Sequence, residues 1–287
     1  MGVKKINIDG SALPIATFKL KDMVKDPSIV MVAKRGSGKS WVCRDLLKHF
    51  DKVGIPGGMI IAKTDKMNPF YGKFFPDLYI HYEYSTVILD KLLARQSYIL
   101  AKRDKKKRKH KKINPRAFLI MDDCLASKTS WVKDRPITEI FYNGRHYKLT
   151  FILTMQFPLG IGPELRCNFD YIFLLADDFI SNQKRLYDHY AGMFPNFDAF
   201  KSVYSGLTAN YGCMVIVNRG DRKDPMEKVF YYKAGEGKMD TFGSKQFIKL
   251  NDKNYNKKWD DYDPAPKGLD DFVKKKKMNN IKIEIKK

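Results

Sequence analysis

The sequence predicts an α/β protein of three layers, α/β/α, around a central and mainly parallel sheet. Three observations predict it. Short apolar, β-branched runs alternate with segments of helical periodicity along most of the chain. The first such run leads through a glycine-containing loop into a helix, the opening of a βαβ unit. The chain is 44% hydrophobic and 13% aromatic, enough for a sizeable core and too much for wholesale disorder. Its 287 residues suit two domains, or one large α/β domain with an appendage.

The elements follow in order. Residues 1–27 form an N-terminal arm of mixed polarity with one turn signal, Asp9-Gly10. Residues 28–234 read as the main domain. Within it, 28–33 is a short buried strand, 34–38 a loop, and 39–50 a helix. Gly54, Pro56, Gly57 and Gly58 precede a second strand over 59–63. A less regular aromatic stretch runs from Phe70 to Tyr84. Ser85 or Thr86 can cap a helix carrying Ile88, Leu92, Leu93, Ile99 and Leu100. That helix runs into a basic loop over 102–112, where nine of eleven residues are Lys or Arg. A third strand spans 117–121. Pro136 suits the first position of a helix over 137–146. Strands at 150–154 and 171–175 flank a short turn opened by Pro163, and helices follow at 179–191 and 197–204. Late strands are expected at 213–218 and 229–233. From residue 235 to 287 the chain reads as a basic, peripheral tail, partly disordered at its end.

Net charge is +22 and the isoelectric point is near 9.6. Such an excess favours a polyanionic partner, nucleic acid first and an acidic membrane surface second; a lysine-rich genome would also raise charge everywhere. Cys43, Cys124, Cys167 and Cys213 are scattered without a CxxC pair, which fits a reducing compartment and argues against a zinc knuckle or disulfide framework. No apolar stretch approaches the roughly 18–20 residues of a membrane span. The start resembles neither a signal peptide nor a myristoylation site, since Ile6 stands where Ser or Thr is wanted. A soluble intracellular protein is expected.

Ala33-Lys34-Arg35-Gly36-Ser37-Gly38-Lys39-Ser40 matches G-x-x-x-x-G-K-[ST] except at Ala33, which is tolerable where φ is negative. Gly36, Ser37 and Gly38 let backbone N–H groups turn inward onto phosphates. Lys39 reaches the β- and γ-phosphates, the Ser40 hydroxyl ligates Mg²⁺, and Trp41 completes the nucleotide-contacting set. The strand over 117–121 ends in Asp122-Asp123. A buried strand that delivers an acid to the metal side is what phosphoryl transfer needs. Asp122 is the metal ligand, through water, and Asp123 the residue that polarises the attacking water; Asp123 also fits a helix N-cap. Gln156, at the tip of the next strand, is placed to sense the γ-phosphate. In a sheet of this kind these groups share the carboxyl rim.

The order of glycine loop, Asp122-Asp123 strand, Asn143-Gly144-Arg145-His146 helix and Thr154-x-Gln156 strand resembles the FtsK–HerA superfamily of RecA/ASCE-like P-loop NTPases. The segment from Pro163 through Arg166 to Asp170, with Phe179-Ile180-Ser181 and Phe194-Pro195, narrows the resemblance to the virion-packaging ATPases of nucleocytoplasmic large DNA viruses and virophages. It covers about residues 28–233. The resemblance implies ATP hydrolysis with Mg²⁺, double-stranded DNA as cargo, and a homo-oligomeric ring, usually of six subunits. It also implies contact with the capsid or portal vertex, and location in the cytoplasmic viral factory and the virion. Each ATP site would be completed by a neighbour's arginine, for which Arg145 and Arg166 are the candidates, both expected near the strand rim. An exposed salt bridge suits either arginine equally well.

Other features stay open. The basic run, Lys105 to Lys109 at its centre, fits a DNA-tracking loop, a nuclear-import signal or a solvated loop. It enters its strand at the amino end, away from ATP. If it neutralised about six phosphates, DNA affinity would fall with salt at a log–log slope near −5. The aromatics between Phe70 and Tyr84 fit core, subunit interface or base stacking. The histidines show no metal-binding spacing, so no metal beyond Mg²⁺ is expected. Alternative readings are another DNA pump of the same branch, a nucleotide or small-molecule kinase, and a basic scaffold with a vestigial site.

Overall fold

The computed structural model describes residues 3–8, 11–107, 113–124, 131–220 and 224–257. In chain order these form β1 (Val3–Ile8), β2 (Ser11–Ala16), β3 (Ser28–Val32), α1 (Lys39–Lys52), β4 (Gly58–Ala62), β5 (Ile80–His81) and α2 (Thr86–Lys107). Then come β6 (Ala117–Asp122), α3 (Arg135–Asn143), β7 (Leu149–Met155), α4 (Pro163–Arg166), β8 (Tyr171–Leu175) and α5 (Ile180–Tyr190). The order closes with α6 (Phe197–Thr208), β9 (Gly212–Val217), β10 (Val229–Lys233) and α7 (Lys245–Asn254).

The main sheet has the order β10-β9-β8-β3-β7-β6-β4-β5. From β8 to β5 the strands are parallel; β9 and β10 add antiparallel pairings at one edge. The predicted three-layer, mainly parallel α/β architecture is the one observed. Its cause is the two-sided burial of the strands. Along β3, Ile29 and Met31 face α1, while Val30 and Val32 face the opposite layer. All four are buried. On the first side α1 contributes Val42, Leu46, Leu47 and Phe50. On the other, Leu89 and Leu92 of α2, Ile137 and Ile140 of α3, and Phe200 and Leu207 of α6 cover the sheet. Each such side chain contributes roughly 1.5–3 kcal/mol by leaving water.

The outer segments depart from the sequence reading. The N-terminal arm forms a β1–β2 hairpin, and Thr17 bridges Tyr231 of β10. Ile15 and Phe18 are core residues, Phe18 meeting Tyr171, Phe173, Phe230 and Tyr232 edge-on. The described part of the tail, 235–257, is mostly exposed and α7 has no buried residue, but aromatic side chains tie it to the main domain. Phe242 is wholly buried against Phe75 and Phe118, and Phe247 stacks on Tyr79 with ring centroids 3.9 Å apart. Two isolated aromatics anchor this stretch, so no periodic run announces it. Residues 258–287 lie outside the described residues.

The basic stretch is not a loop from its start. Helix α2 continues to Lys107, as suits lysine and arginine, both good helix formers. The remaining 108–112 lie outside the described residues. No described helix is long and apolar enough to cross a membrane.

Candidate active site

The phosphate loop lies between the end of β3 and the start of α1. Gly36 and Gly38 hold φ of 79° and 98°, left-handed values that a side chain resists. Ala33 is not among the described positive-φ residues, and its N–H donates to Met155 O at 2.9 Å, so the substitution for glycine costs the loop nothing there. Ser37 is buried and its hydroxyl donates to Lys34 O at 2.7 Å, tightening the turn. Gly38 is the N-cap of α1 and has no side chain to occupy the first-turn amides. An uncapped helix end of this kind, with its positive dipole end, is suited to an anion. Lys39 and Ser40 stand in that first turn. The Trp41 N–H donates to Gly38 O at 3.0 Å, and its exposed indole lies under the Arg44 guanidinium, 4.0 Å away.

The carboxyl ends of β6 and β7 bring the acids to this loop. Lys39 Nζ lies 3.1 Å from Asp122 Oδ1 and is also ion-paired with Asp123 Oδ2. Burial alone would lower the Lys39 pKa, but the two facing carboxylates outweigh it and raise the pKa above the usual lysine value. Gln156 Nε2 donates to Asp123 Oδ2 at 2.8 Å. The Asp123 carboxylate therefore serves the lysine and the glutamine. Its backbone is left-handed, with φ of 53°. Among the described residues, Asp123 Oδ1 is buried without a hydrogen-bond partner. Lys39, Asp122, Asp123 and Gln156 thus form one cluster beside the loop.

Tyr71 and Asp65 were missed from sequence, and Thr154 was read only as part of the Thr154-x-Gln156 strand. Tyr71 is wholly buried and its phenol donates to Asp122 Oδ2 at 3.0 Å. Burial, then the Asp122 charge, pushes the Tyr71 pKa well above the usual phenol, so it remains a donor. Asp65 places it: this buried carboxylate accepts from the N–H groups of Phe70, Tyr71 and Gly72 at 2.7, 2.9 and 3.1 Å. Thr154 donates to Asp122 Oδ1 and accepts from the Asp123 N–H at 3.1 Å, linking the two acids to β7. An Asp a few residues before an aromatic run was the available signal for the Asp65 turn. Nothing local pointed to its target. Burial first, and the Asp122 charge next, also raise the thiols of Cys43 and Cys124 to about 12, so both stay neutral beside the acids.

The two arginine candidates lie elsewhere, which corrects their expected place on the rim. Arg145 follows α3 at the amino edge of the sheet. Its Nη2 donates to Asp170 Oδ1 and Oδ2 at 2.6 and 2.8 Å, and Arg219 Nη1 donates to the same Oδ1 at 2.8 Å. Ser28 N–H, at the start of β3, donates to Asp170 Oδ2 at 2.9 Å. The helix before a parallel strand returns the chain to the strand's amino end, which carries Arg145 away from the loop. Arg166 ends α4 on the descending connection from β7 to β8, its guanidinium 5.6 Å from the centre of the Tyr190 ring.

A family model described as the Poxvirus A32 protein matches residues 15–171. The chain belongs to this family. Protein L437 of Acanthamoeba polyphaga mimivirus is 50% identical over 272 residues, covering 94% of this chain and 95% of that protein. Protein 075L of Invertebrate iridescent virus 6 is 35% identical over 240 residues, with coverage of 80% and 87%. Among solved structures, the genome packaging NTPase B204 of Sulfolobus turreted icosahedral virus 2, in complex with ATP-gammaS, is similar in fold. Its TM-score is 0.51 at 16% identity, over 74% of this chain and 98% of that one. The resemblance to the packaging ATPases of large DNA viruses is thereby borne out at the level of family and fold.

For this family member the residues able to hold a metal can be named. Among the described residues no three His, Cys, Asp or Glu side chains are grouped to cage an ion. Asp122 and Ser40 remain, one carboxylate and one hydroxyl. That donor set suits Mg²⁺, which is held by a few protein oxygens together with substrate phosphates and water.

Proposed function

We propose that this protein is a Mg²⁺-dependent ATPase that drives double-stranded DNA into a viral capsid. One observation carries the reading. Lys39, Asp122, Asp123 and Gln156 meet at the mouth of a glycine loop whose helix-end amides have no side-chain cap. Phosphates arriving on those amides offer Lys39 a second set of anions. The lysine then exchanges carboxylates for phosphate oxygens and frees Asp122 toward Ser40. Bound there, Mg²⁺ would neutralise charge on the phosphates. Asp123, oriented by Gln156 and with its buried Oδ1 unpaired among the described residues, accepts a proton from the attacking water.

The ring implied by the family resemblance fits the position of Arg145. In a closed ring of head-to-tail contacts, the face carrying the ATP site meets a different face of the neighbour. Arg145 stands at the sheet edge opposite its own phosphate loop. Asp170 holds it in readiness and retains Arg219 and Ser28 when it leaves. The net charge of +22 supports DNA as the cargo. Capsid or portal contact, with a place in the viral factory and the virion, follows from the same reading.

Steady-state ATP hydrolysis, with and without long double-stranded DNA, tests this beside Lys39→Ala. The expected result is hydrolysis stimulated by DNA in the wild type and lost in the variant. Hydrolysis indifferent to DNA would leave a nucleotidase or kinase. DNA binding without hydrolysis would leave a scaffold.

A further inference from the structure

The carboxyl rim has two sides about β3. On one side β7 and β6 present the acids, so the terminal phosphate lies there. A nucleotide laid along the loop therefore extends its ribose and base toward the other side, where the end of β8 lies beside the start of β9. The turn from α6 into β9 closes that side with Tyr211.

Tyr211 has three properties that its neighbours do not explain. It abuts the phosphate loop: a Cβ on Gly38 would lie 3.6 Å from Tyr211 Cδ1. The residue is 66% exposed, so the ring is not spent on the core. Its backbone is left-handed at φ 60°, directly after Asn210 at φ 55°. Asparagine tolerates that conformation; a bulky aromatic does not. Gly212 fixes the turn from the other side, since a Cβ there would come within 2.1 Å of Leu207 O. A strained, exposed aromatic beside a ligand loop is a common sign of a functional position.

We propose that Tyr211 is the base-stacking residue of the nucleotide site, its phenol face receiving the purine ring of a nucleoside triphosphate. The proposal rests on the nucleotide-binding reading above and adds the substrate class. Ring stacking reads a π-face and not a base edge. ATP and GTP should therefore bind alike, and both more tightly than CTP or UTP.

The test compares wild type, Tyr211→Phe and Tyr211→Gly for binding of ATP, GTP, CTP and inorganic tripolyphosphate, with melting temperatures for all three proteins. Glycine suits φ 60°, so Tyr211→Gly should melt no lower than the wild type. It should bind ATP about tenfold more weakly, with tripolyphosphate binding unchanged. Tyr211→Phe should retain ATP affinity. Wild-type ATP affinity in Tyr211→Gly would overturn the proposal while leaving the site intact. So would equal loss of ATP and tripolyphosphate, which would make Tyr211 a loop-shaping residue. A wild type that binds neither ligand would overturn the nucleotide site itself, and this proposal with it.

Discussion

The phenol of Tyr71 donates to Asp122 Oδ2 at 3.0 Å across 51 residues of chain, from inside the packed core. With Thr154 on the other oxygen, it leaves Asp122 a single orientation, pointing at the phosphate loop. The acid expected to serve the metal is therefore held by two hydroxyls before any ligand arrives.

Tyr71→Phe keeps the ring and removes the donor. Leaving one carboxylate oxygen unpaired in the core should cost about 1–3 kcal/mol. At roughly 2–4 °C per kcal/mol for a domain of this size, the melting temperature should fall by several degrees. The Mg²⁺ concentration for half-maximal ATP hydrolysis should rise about tenfold, as for other residues that orient a metal ligand. Unchanged Mg²⁺ dependence together with an unchanged melting temperature would count against the role.

Lys39 makes stability depend on pH in the alkaline range. Burial opposes its charge, but Asp122 and Asp123 prevail and raise its folded pKa above the ordinary 10.5. A raised folded value means that the stabilisation is complete below the unfolded value and is lost as pH rises through the folded one. Lys39→Met should be destabilised by about 3 kcal/mol at neutral pH, the cost of leaving buried charges unpaired. The gap between the two proteins should close above pH 10.5. Urea melts of both proteins across that range would show it, and a gap independent of pH would contradict the pairing.

If Arg145 acts on the neighbour's ATP, two inactive proteins should rescue each other. Lys39→Ala subunits carry a sound arginine, and Arg145→Ala subunits a sound phosphate loop. Random mixing in a ring of head-to-tail contacts should restore about a quarter of the wild-type rate. No rescue on mixing would assign Arg145 to its own subunit's structure. Asp170 keeps Arg219 and Ser28, so Arg145→Ala should still fold.

Phe242 tests where the packed unit ends. Its ring fills the space between Phe75 and Phe118, with centroids 5.5 and 5.2 Å away. Phe242→Ala should cost roughly 3–5 kcal/mol, read from chemical denaturation. A chain cut after residue 234 should lose at least as much. A truncated chain as stable as the full one would show that Phe242 adds nothing to the packed unit.

Much of the architecture was legible because it is written locally. The run from Ser28 to Val32 alternates sides of the sheet, and its β-branched, apolar residues allow few other fates. The positive φ values of Gly36 and Gly38 are demands that glycine meets within the loop itself. Two acids at the end of a buried strand have nowhere to go but its carboxyl rim. Lys39, Asp122, Asp123 and Gln156 accordingly fall together on the order of their strands and loop alone. Tyr71 could not, because an aromatic-rich stretch looks alike whether its residues fill a core or steer a carboxylate.

By itself the sequence determined the order of the central strands and helices from β3 to β10 and the grouping of Asp122, Asp123 and Gln156 beside the glycine loop. These depend on periodicity and backbone conformation, which act between near neighbours. The tertiary structure alone decided that Arg145 pairs with Asp170 at the far edge, that Tyr71 reaches Asp122, that Phe242 belongs to the core and that Tyr211 flanks Gly38. Those contacts depend on strand order and crossover direction, which bring distant segments together and which a two-residue alternation does not encode.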